Sequence, residues 1–108
     1  MTPFIQIDTT TSSQEEALQI ARELVNRRLV ACAHIIGPVN SIYHWKDQVE
    51  EGTEWHCLFK TRSSLFSNVA AAIQELHSYE CPKIIALPIV EASQDYLTWL
   101  DSELKEAE

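Results

Sequence analysis

The first strand and the first helix are visible in the pattern of apolar and polar residues. Between Phe4 and Thr11 apolar positions alternate with polar ones and end in a β-branched run, as is typical of a pleated strand. Apolar residues then recur every three or four positions from Ala17 to Val25, behind serines that can cap a helix. The pattern predicts an amphipathic helix that ends near Arg28.

A long second strand and a third strand follow. Leu29–Ile36 is apolar and β-branched apart from one histidine, Gly37-Pro38 interrupts it, and alternation resumes over Val39–Trp45. We interpret these segments as one kinked or bulged strand. The polar residues 46–52 predict a hairpin connection to a strand over residues 54–61.

The remaining segments predict a helix, a strand and a helix. Ser63 and Ser64 precede a second amphipathic stripe that stops near His77. Residues 84–90 form a nearly unbroken apolar run that is too short for a helix, which favours a buried strand. Ser93 then opens a C-terminal helix.

The order of elements is βαββαβ with an additional C-terminal helix. This order predicts an α+β, ferredoxin-like sandwich with both crossover helices on one face of an antiparallel sheet, in the strand order 4-1-3-2. The length of 108 residues fits a single domain over residues 1–108.

The fourth strand is expected at an edge of this sheet. Its segment carries almost no charge to discourage pairing with another chain, and Tyr43-His44-Trp45 extends the second strand beyond the sheet. We therefore expect a strand-to-strand oligomer. The alternative is that the C-terminal helix covers this edge within one chain.

Charge and composition narrow the function classes. Eight Lys and Arg residues against sixteen Asp and Glu residues give a net charge of −8, which argues against nucleic acid and anionic membranes as partners. No apolar run approaches the roughly 20 residues of a membrane span, and no basic segment precedes an apolar one near the N-terminus. We expect a cytoplasmic protein whose three widely spaced cysteines are reduced thiols.

Two sets of side chains are candidates for a site. Cys32 and His34 stand two apart on a strand, so their side chains leave the same face, and thiolate with imidazole suits Cu(I) or Zn(II). They make half of a metal site, and the alternative is that both are structural. The turn 77–82 gathers His77, Tyr79 and Glu80 near Cys81, and it is either a ligand site or a structural turn. No glycine-rich loop or nucleophile elbow accompanies that turn, so we expect no enzyme.

The aromatic residues and one lysine complete the candidates. Tyr43 and Trp45 are expected to be core or interface residues, since no basic residues are interleaved with them. Lys60 lies on the polar face of the third strand. It is expected to be solvated, to pair with a carboxylate such as Glu80, or to meet an anionic ligand.

Several motifs in order resemble the CutA divalent-cation tolerance family across essentially the whole chain. The matching segments are Arg22–Cys32, Val39–Trp45, Phe59–Thr61, Glu75–Ile89 and Tyr96–Leu100. The resemblance implies a small cytosolic homotrimer of ferredoxin-like subunits, similar in architecture to PII signalling proteins and associated with tolerance of copper and other divalent metals.

The resemblance also maps the family's motif residues onto this chain. They correspond to Cys32, Lys60, His77, Tyr79, Glu80, Pro82, Tyr43 and Trp45. His34 departs from the family, which usually has asparagine there, and it adds a soft ligand next to Cys32.

Two functions are therefore predicted. The first is a homotrimeric, non-enzymatic protein that binds divalent metal, with copper as the first candidate, at Cys32 and His34 and requires no cofactor. The second is a PII-like regulator that binds a small molecule in an intersubunit cleft. Its predicted ligand-binding residues are Tyr43, Trp45, Lys60, His77, Tyr79 and Glu80.

Overall fold

The structure, a computed structural model, describes residues 1–106. Its strands are β1 (Phe4–Thr11), β2 (Cys32–Trp45), β3 (Gln48–Arg62) and β4 (Ile85–Pro88), and its α-helices are α1 (Gln14–Asn26), α2 (Phe66–Leu76) and α3 (Gln94–Ser102). The strands form one antiparallel sheet in the order β2-β3-β1-β4. The predicted fold and strand order are therefore confirmed.

The main core lies between α1, α2 and one face of the sheet. Ile7 and Phe59 from the sheet are fully buried against Leu24 of α1 and Ile73 of α2. The α3 helix packs elsewhere, in a second apolar cluster with Phe4 and with Leu65, which lies in a short 3-10 turn before α2. The face of the sheet that points away from α1 and α2 is here called the open face. It is only partly covered within one chain.

The connection from α1 to β2 differs from the prediction. The second strand was expected from Leu29, but β2 begins at Cys32. Leu29 and Val30 are buried in the connection instead, and the Thr61 hydroxyl donates to the Leu29 carbonyl at 2.6 Å. These residues are apolar because they are buried in the core. A short apolar run in the sequence looks the same for a buried connection as for a buried strand.

The β2–β3 hairpin is longer than predicted. A connection over residues 46–52 was expected, but the turn contains only Lys46 and Asp47, whose φ angles of 50° and 65° are those of a tight hairpin turn. Residues 42–52 form an exposed arm. Because neither face of the arm is buried, its strands are not marked in the sequence by a regular alternation of apolar and polar residues.

The bulge predicted in β2 is present. The pairing register between β2 and β3 shifts between Ile36 and Val39, around Gly37-Pro38. A Cβ atom at Gly37 would lie 2.5 Å from Cδ1 of Trp55. The strand passes so close to this ring that only glycine fits without a rearrangement.

The predicted position of the fourth strand at a sheet edge is confirmed, but its burial is not. The strand was expected to be buried over residues 84–90, whereas β4 is limited to Ile85–Pro88 and is exposed in the single chain. Ile85 is 44% exposed and Leu87 is 50% exposed, and α3 does not cover them. The alternative in which the C-terminal helix covers this edge is therefore wrong.

Candidate functional site

A large cavity lies between the hairpin arm and the loop that leads from α2 to β4. It has a volume of about 810 Å³ and is here called the arm pocket. Three aromatic rings, imidazoles, carboxylates, a thiol and an ammonium group line it, and its lining residues are Thr10, Ser41, Ile42, Tyr43, His44, Trp45, Glu54, His56, Ser78, Tyr79, Glu80, Cys81 and Lys83. Four of the six predicted ligand-binding residues are thus brought together: Tyr43, Trp45, Tyr79 and Glu80.

His77 holds the loop wall of the arm pocket from behind. It is buried, its Nε2 lies 2.7 Å from the Thr10 carbonyl oxygen, and its Nδ1 accepts from the Tyr79 backbone N–H at 3.1 Å. Because Nδ1 accepts, Nε2 carries the proton and donates it to Thr10 in the neutral ring. His77 is therefore placed to position the loop. It was predicted to bind the ligand, but it is not one of the residues that line the pocket.

The N-terminal end of α1 fastens the same loop. Ser13 caps this helix by accepting from the Glu16 N–H at 3.1 Å. The Glu16 carboxylate in turn accepts from the Ser78 N–H at 2.7 Å. The loop wall is thus tied both to β1, through His77, and to α1.

Tyr79 and Glu54 form a short hydrogen bond at the arm pocket. The Tyr79 hydroxyl donates to Oε2 of Glu54 at 2.6 Å, and Glu54 is buried in β3. Burial raises the pKa of Tyr79, and the hydrogen bond and negative charge of Glu54 raise it further. The phenol is therefore a neutral donor at physiological pH.

A second set of charges lies beside this pair, around Asp8 of β1. Its Oδ1 is 3.3 Å from Nδ1 of His56, and its Oδ2 is 3.4 Å from Nζ of Lys83. Lys46 at the arm turn lies 3.7 Å from Oε2 of Glu80. Each of these two lysines is thus close to a carboxylate other than Glu54.

Comparison with known proteins now identifies the family. The sequence model described as "CutA1 divalent ion tolerance protein" matches residues 5–103. The chain belongs to the CutA family. This membership confirms the resemblance drawn from the sequence motifs, and it assigns the chain to a family of divalent-cation tolerance proteins.

Individual CutA relatives match over nearly their full length. The "Divalent-cation tolerance protein CutA" of Thermus thermophilus is 42% identical over 91 residues, which cover 84% of this chain and 88% of the relative. A CutA1 structure from Oryza sativa has a TM-score of 0.94 at 30% identity and covers 97% of this chain and 96% of its own. The Archaeoglobus fulgidus structure, named a periplasmic CutA, has a TM-score of 0.91 at 35% identity, covering 94% and 99%.

The two predicted metal ligands lie on the open face of the CutA sheet, away from the arm pocket lining. Cys32 is partly buried and its Sγ is 3.6 Å from the Tyr96 hydroxyl of α3, while His34 is exposed. Within residues 1–106, no cluster of three or more histidine, cysteine or acidic side chains stands ready to hold a metal ion. One chain therefore presents the thiol and the imidazole as two side chains on a shared face.

Lys60 is separated from the other predicted ligand-binding residues. It pairs with Cys32 across β2 and β3 and with Gln6 across β3 and β1, which places all three on the open face. Glu80, proposed from the sequence as a partner for Lys60, lies next to Lys46 instead.

The other two cysteines differ sharply in environment. Cys57 is fully buried in the core, and burial raises the pKa of its thiol to about 12. Cys81 is exposed at the rim of the arm pocket. Cys57 is therefore an apolar core residue, since its side chain is fully buried and its thiol stays protonated at neutral pH.

Sequence reasoning missed several polar residues of the arm pocket. Glu54, His56, Asp8 and Lys83 were not among the candidate residues predicted from the sequence. The pairing of Thr10 with His56 in the β1–β3 register brings these residues to one end of the open face. That register was the signal that could have found them, because paired residues of neighbouring strands share a face.

No helix within the described residues 1–106 is long and apolar enough to cross a membrane.

Proposed function

We propose that this CutA protein acts as a homotrimer that binds divalent metal ions, with copper as the first candidate, and thereby contributes to metal tolerance. We further propose that it acts in the cytoplasm, without catalysis and without a resident cofactor. The observation that carries the proposal is that Cys32 and His34 share the open face of the sheet, where one chain leaves apolar side chains exposed. A second copy that covers this face would also bring further ligands to the pair.

Exposed apolar residues support the assembly. Leu87 on β4 and Ile42, Trp45 and Val49 on the arm are between 39% and 67% exposed. Large apolar side chains concentrated on a sheet edge and a projecting arm mark surfaces that another chain covers. CutA subunits that pair through β4 and wrap their arms around a neighbour would bury these residues.

Electrostatics supports cations as ligands. The net charge of −8 gives the protein an attractive potential for cations, which raises their local concentration. Selectivity for copper would come from the soft thiolate and the imidazole of Cys32 and His34.

Calorimetric titration with Cu²⁺ under anaerobic conditions tests the metal site. We expect the paired variant Cys32→Ser/His34→Ala to bind copper at least about tenfold more weakly, which corresponds to about 1.4 kcal/mol, because both first ligands are lost. The matched control Cys81→Ser/His44→Ala removes an exposed thiol and an exposed imidazole elsewhere. Unchanged affinity in the first variant, or an equal loss in the control, would refute the assignment.

A second function is favoured by the arm pocket itself. Its volume of about 810 Å³ lies in the range of small-molecule sites, and its aromatic walls and few polar groups are typical of them. We propose that the pocket forms part of an intersubunit cleft and binds a small organic regulator, as in PII-like proteins. Tyr43 and Trp45 come from the arm, and Tyr79 and Glu80 come from the loop wall.

A thermal-shift screen in buffer with a metal chelator separates the two functions. A ligand present at a hundredfold excess over its Kd is expected to stabilise the protein by about 2.7 kcal/mol. Stabilisation by an organic molecule without metal supports the regulator. A protein that responds to none of the cationic, neutral and anionic compounds in that buffer, but is stabilised by Cu²⁺ in a parallel run without chelator, supports the metal function and argues against the regulator.

A further inference from the structure

We propose that the arm pocket selects a small organic cation, namely an amine that carries an apolar group. The inference rests on the second function proposed above, that the pocket is a ligand site, and it adds the chemical class of the ligand. The ammonium group would lie against the Glu54 carboxylate, and the apolar group would pack against the rings of Tyr43 and Trp45.

Glu54 is a buried acid without a basic partner. Its exposed fraction is only 7%, although it lines the arm pocket. Among the described residues, its side chain has one hydrogen bond, which Oε2 accepts from the Tyr79 hydroxyl, and no ion pair. A buried carboxylate is costly unless a cation or several donors compensate it. Oε1 is left for a donor that comes from outside the chain.

The charges around the pocket leave one negative charge in excess. Among the lining residues and the groups that form ion pairs with them, three carboxylates, those of Asp8, Glu54 and Glu80, stand against two ammonium groups, those of Lys46 and Lys83. Lys83 lies next to Asp8 and Lys46 lies next to Glu80. The uncompensated charge is therefore that of Glu54, and a ligand with a single positive charge would balance it.

The aromatic wall favours the same ligand class. Tyr43 and Trp45 are both partly exposed on the arm side of the pocket, and Tyr79 faces them from the loop. The ammonium group of Lys46 already lies 5.5 Å from the centre of the Trp45 ring. Aromatic faces attract ammonium groups at such distances and also offer apolar area to the body of a ligand.

Other ligand classes fit the arm pocket less well. A phosphate-bearing or carboxylate ligand would meet the excess negative charge and the buried Glu54 directly. A divalent metal would find no cluster of three or more histidine, cysteine or acidic ligands within residues 1–106. Aromatic rings and one unpaired carboxylate suit an amine, since its N–H groups donate and its charge is single.

Benzylamine is a suitable probe, with benzyl alcohol and phenylacetate as neutral and anionic counterparts of similar shape. Binding to the full-length oligomer is measured at pH 7 by NMR titration of the protein, with a chelator present. Glu54→Gln keeps the shape of the side chain and an oxygen that can accept from Tyr79, but it removes the charge. Glu51→Gln is the matched control, because it removes an exposed carboxylate from the same strand, β3, outside the pocket lining.

We expect benzylamine to bind more tightly than both counterparts, to shift the indole signal of Trp45, and to bind about tenfold more weakly to Glu54→Gln. Glu51→Gln is expected to change the affinity by less than about threefold, since its charge is exposed and lies outside the pocket lining. Tighter binding of phenylacetate, or equal affinities in Glu54→Gln and the wild type, would overturn the inference and leave a pocket that binds small molecules. Failure of all three probes to bind would overturn the inference, whereas the regulator function is decided by the thermal-shift screen described above.

Discussion

Replacing Ile85 and Leu87 by lysine is expected to convert the oligomer into monomers of 12.3 kDa. Both residues lie on the exposed edge strand β4, and their side chains are about half exposed in the single chain. The fold of one subunit therefore tolerates the change. A neighbour that pairs with this strand would have to bury two ammonium groups, which costs several kcal/mol for each unpaired charge.

Size-exclusion chromatography with light scattering measures this effect. The wild type is expected at three times 12.3 kDa, and the double control Ala71→Lys/Gln74→Lys, which adds the same charge on the exposed side of α2, is expected to remain trimeric. A wild-type protein that runs as a monomer at micromolar concentration would refute the trimer. A trimeric double lysine variant on β4 would place the interface elsewhere.

The His77→Ala variant is expected to lower the free energy of unfolding by about 2–4 kcal/mol. The change leaves the buried Thr10 carbonyl and the Tyr79 N–H without their partners and opens a cavity behind the loop. The wall of the arm pocket would loosen, so ligand binding there is expected to weaken as well.

Urea denaturation at one fixed subunit concentration measures this loss, because the stability of an oligomer depends on concentration. Gln74→Ala, at an exposed position on α2 just before His77, is the control and is expected to change stability by less than about 0.5 kcal/mol. If His77→Ala were as mild as the control, the role of His77 in holding the loop would be wrong.

The helices and the inner strands were predictable because their burial repeats along the chain. The residues of α1 face the core and the solvent with the period of a helix, and the Ser13 side chain caps its first turn by accepting a backbone hydrogen bond. The arm was not predictable in the same way. Residues 48–53 of β3 are exposed on both faces, so their strand conformation comes from pairing with β2 and leaves no stripe in the sequence.

The candidate site was predicted only in part for a similar reason. Tyr79 and Glu80 stand close together in the chain, and their polar cluster is visible in the sequence. Glu54 belongs to a different strand, and it reaches Tyr79 because β3 passes beside the loop. Lys60, a predicted ligand-binding residue, lies on the same face of β3 as Glu54, but six residues of an extended strand place it about 20 Å away.

The sequence by itself determined the order of elements, the identity of the edge strand and the CutA motifs, because each depends on local periodicity, charge or residues adjacent in the chain. Only the tertiary structure decided which side chains share the arm pocket. It placed His77 behind the wall and Glu54 in it, since strand register and loop attachment bring together residues that are far apart in the chain. The isolated acid that defines the proposed ligand class is a product of that packing.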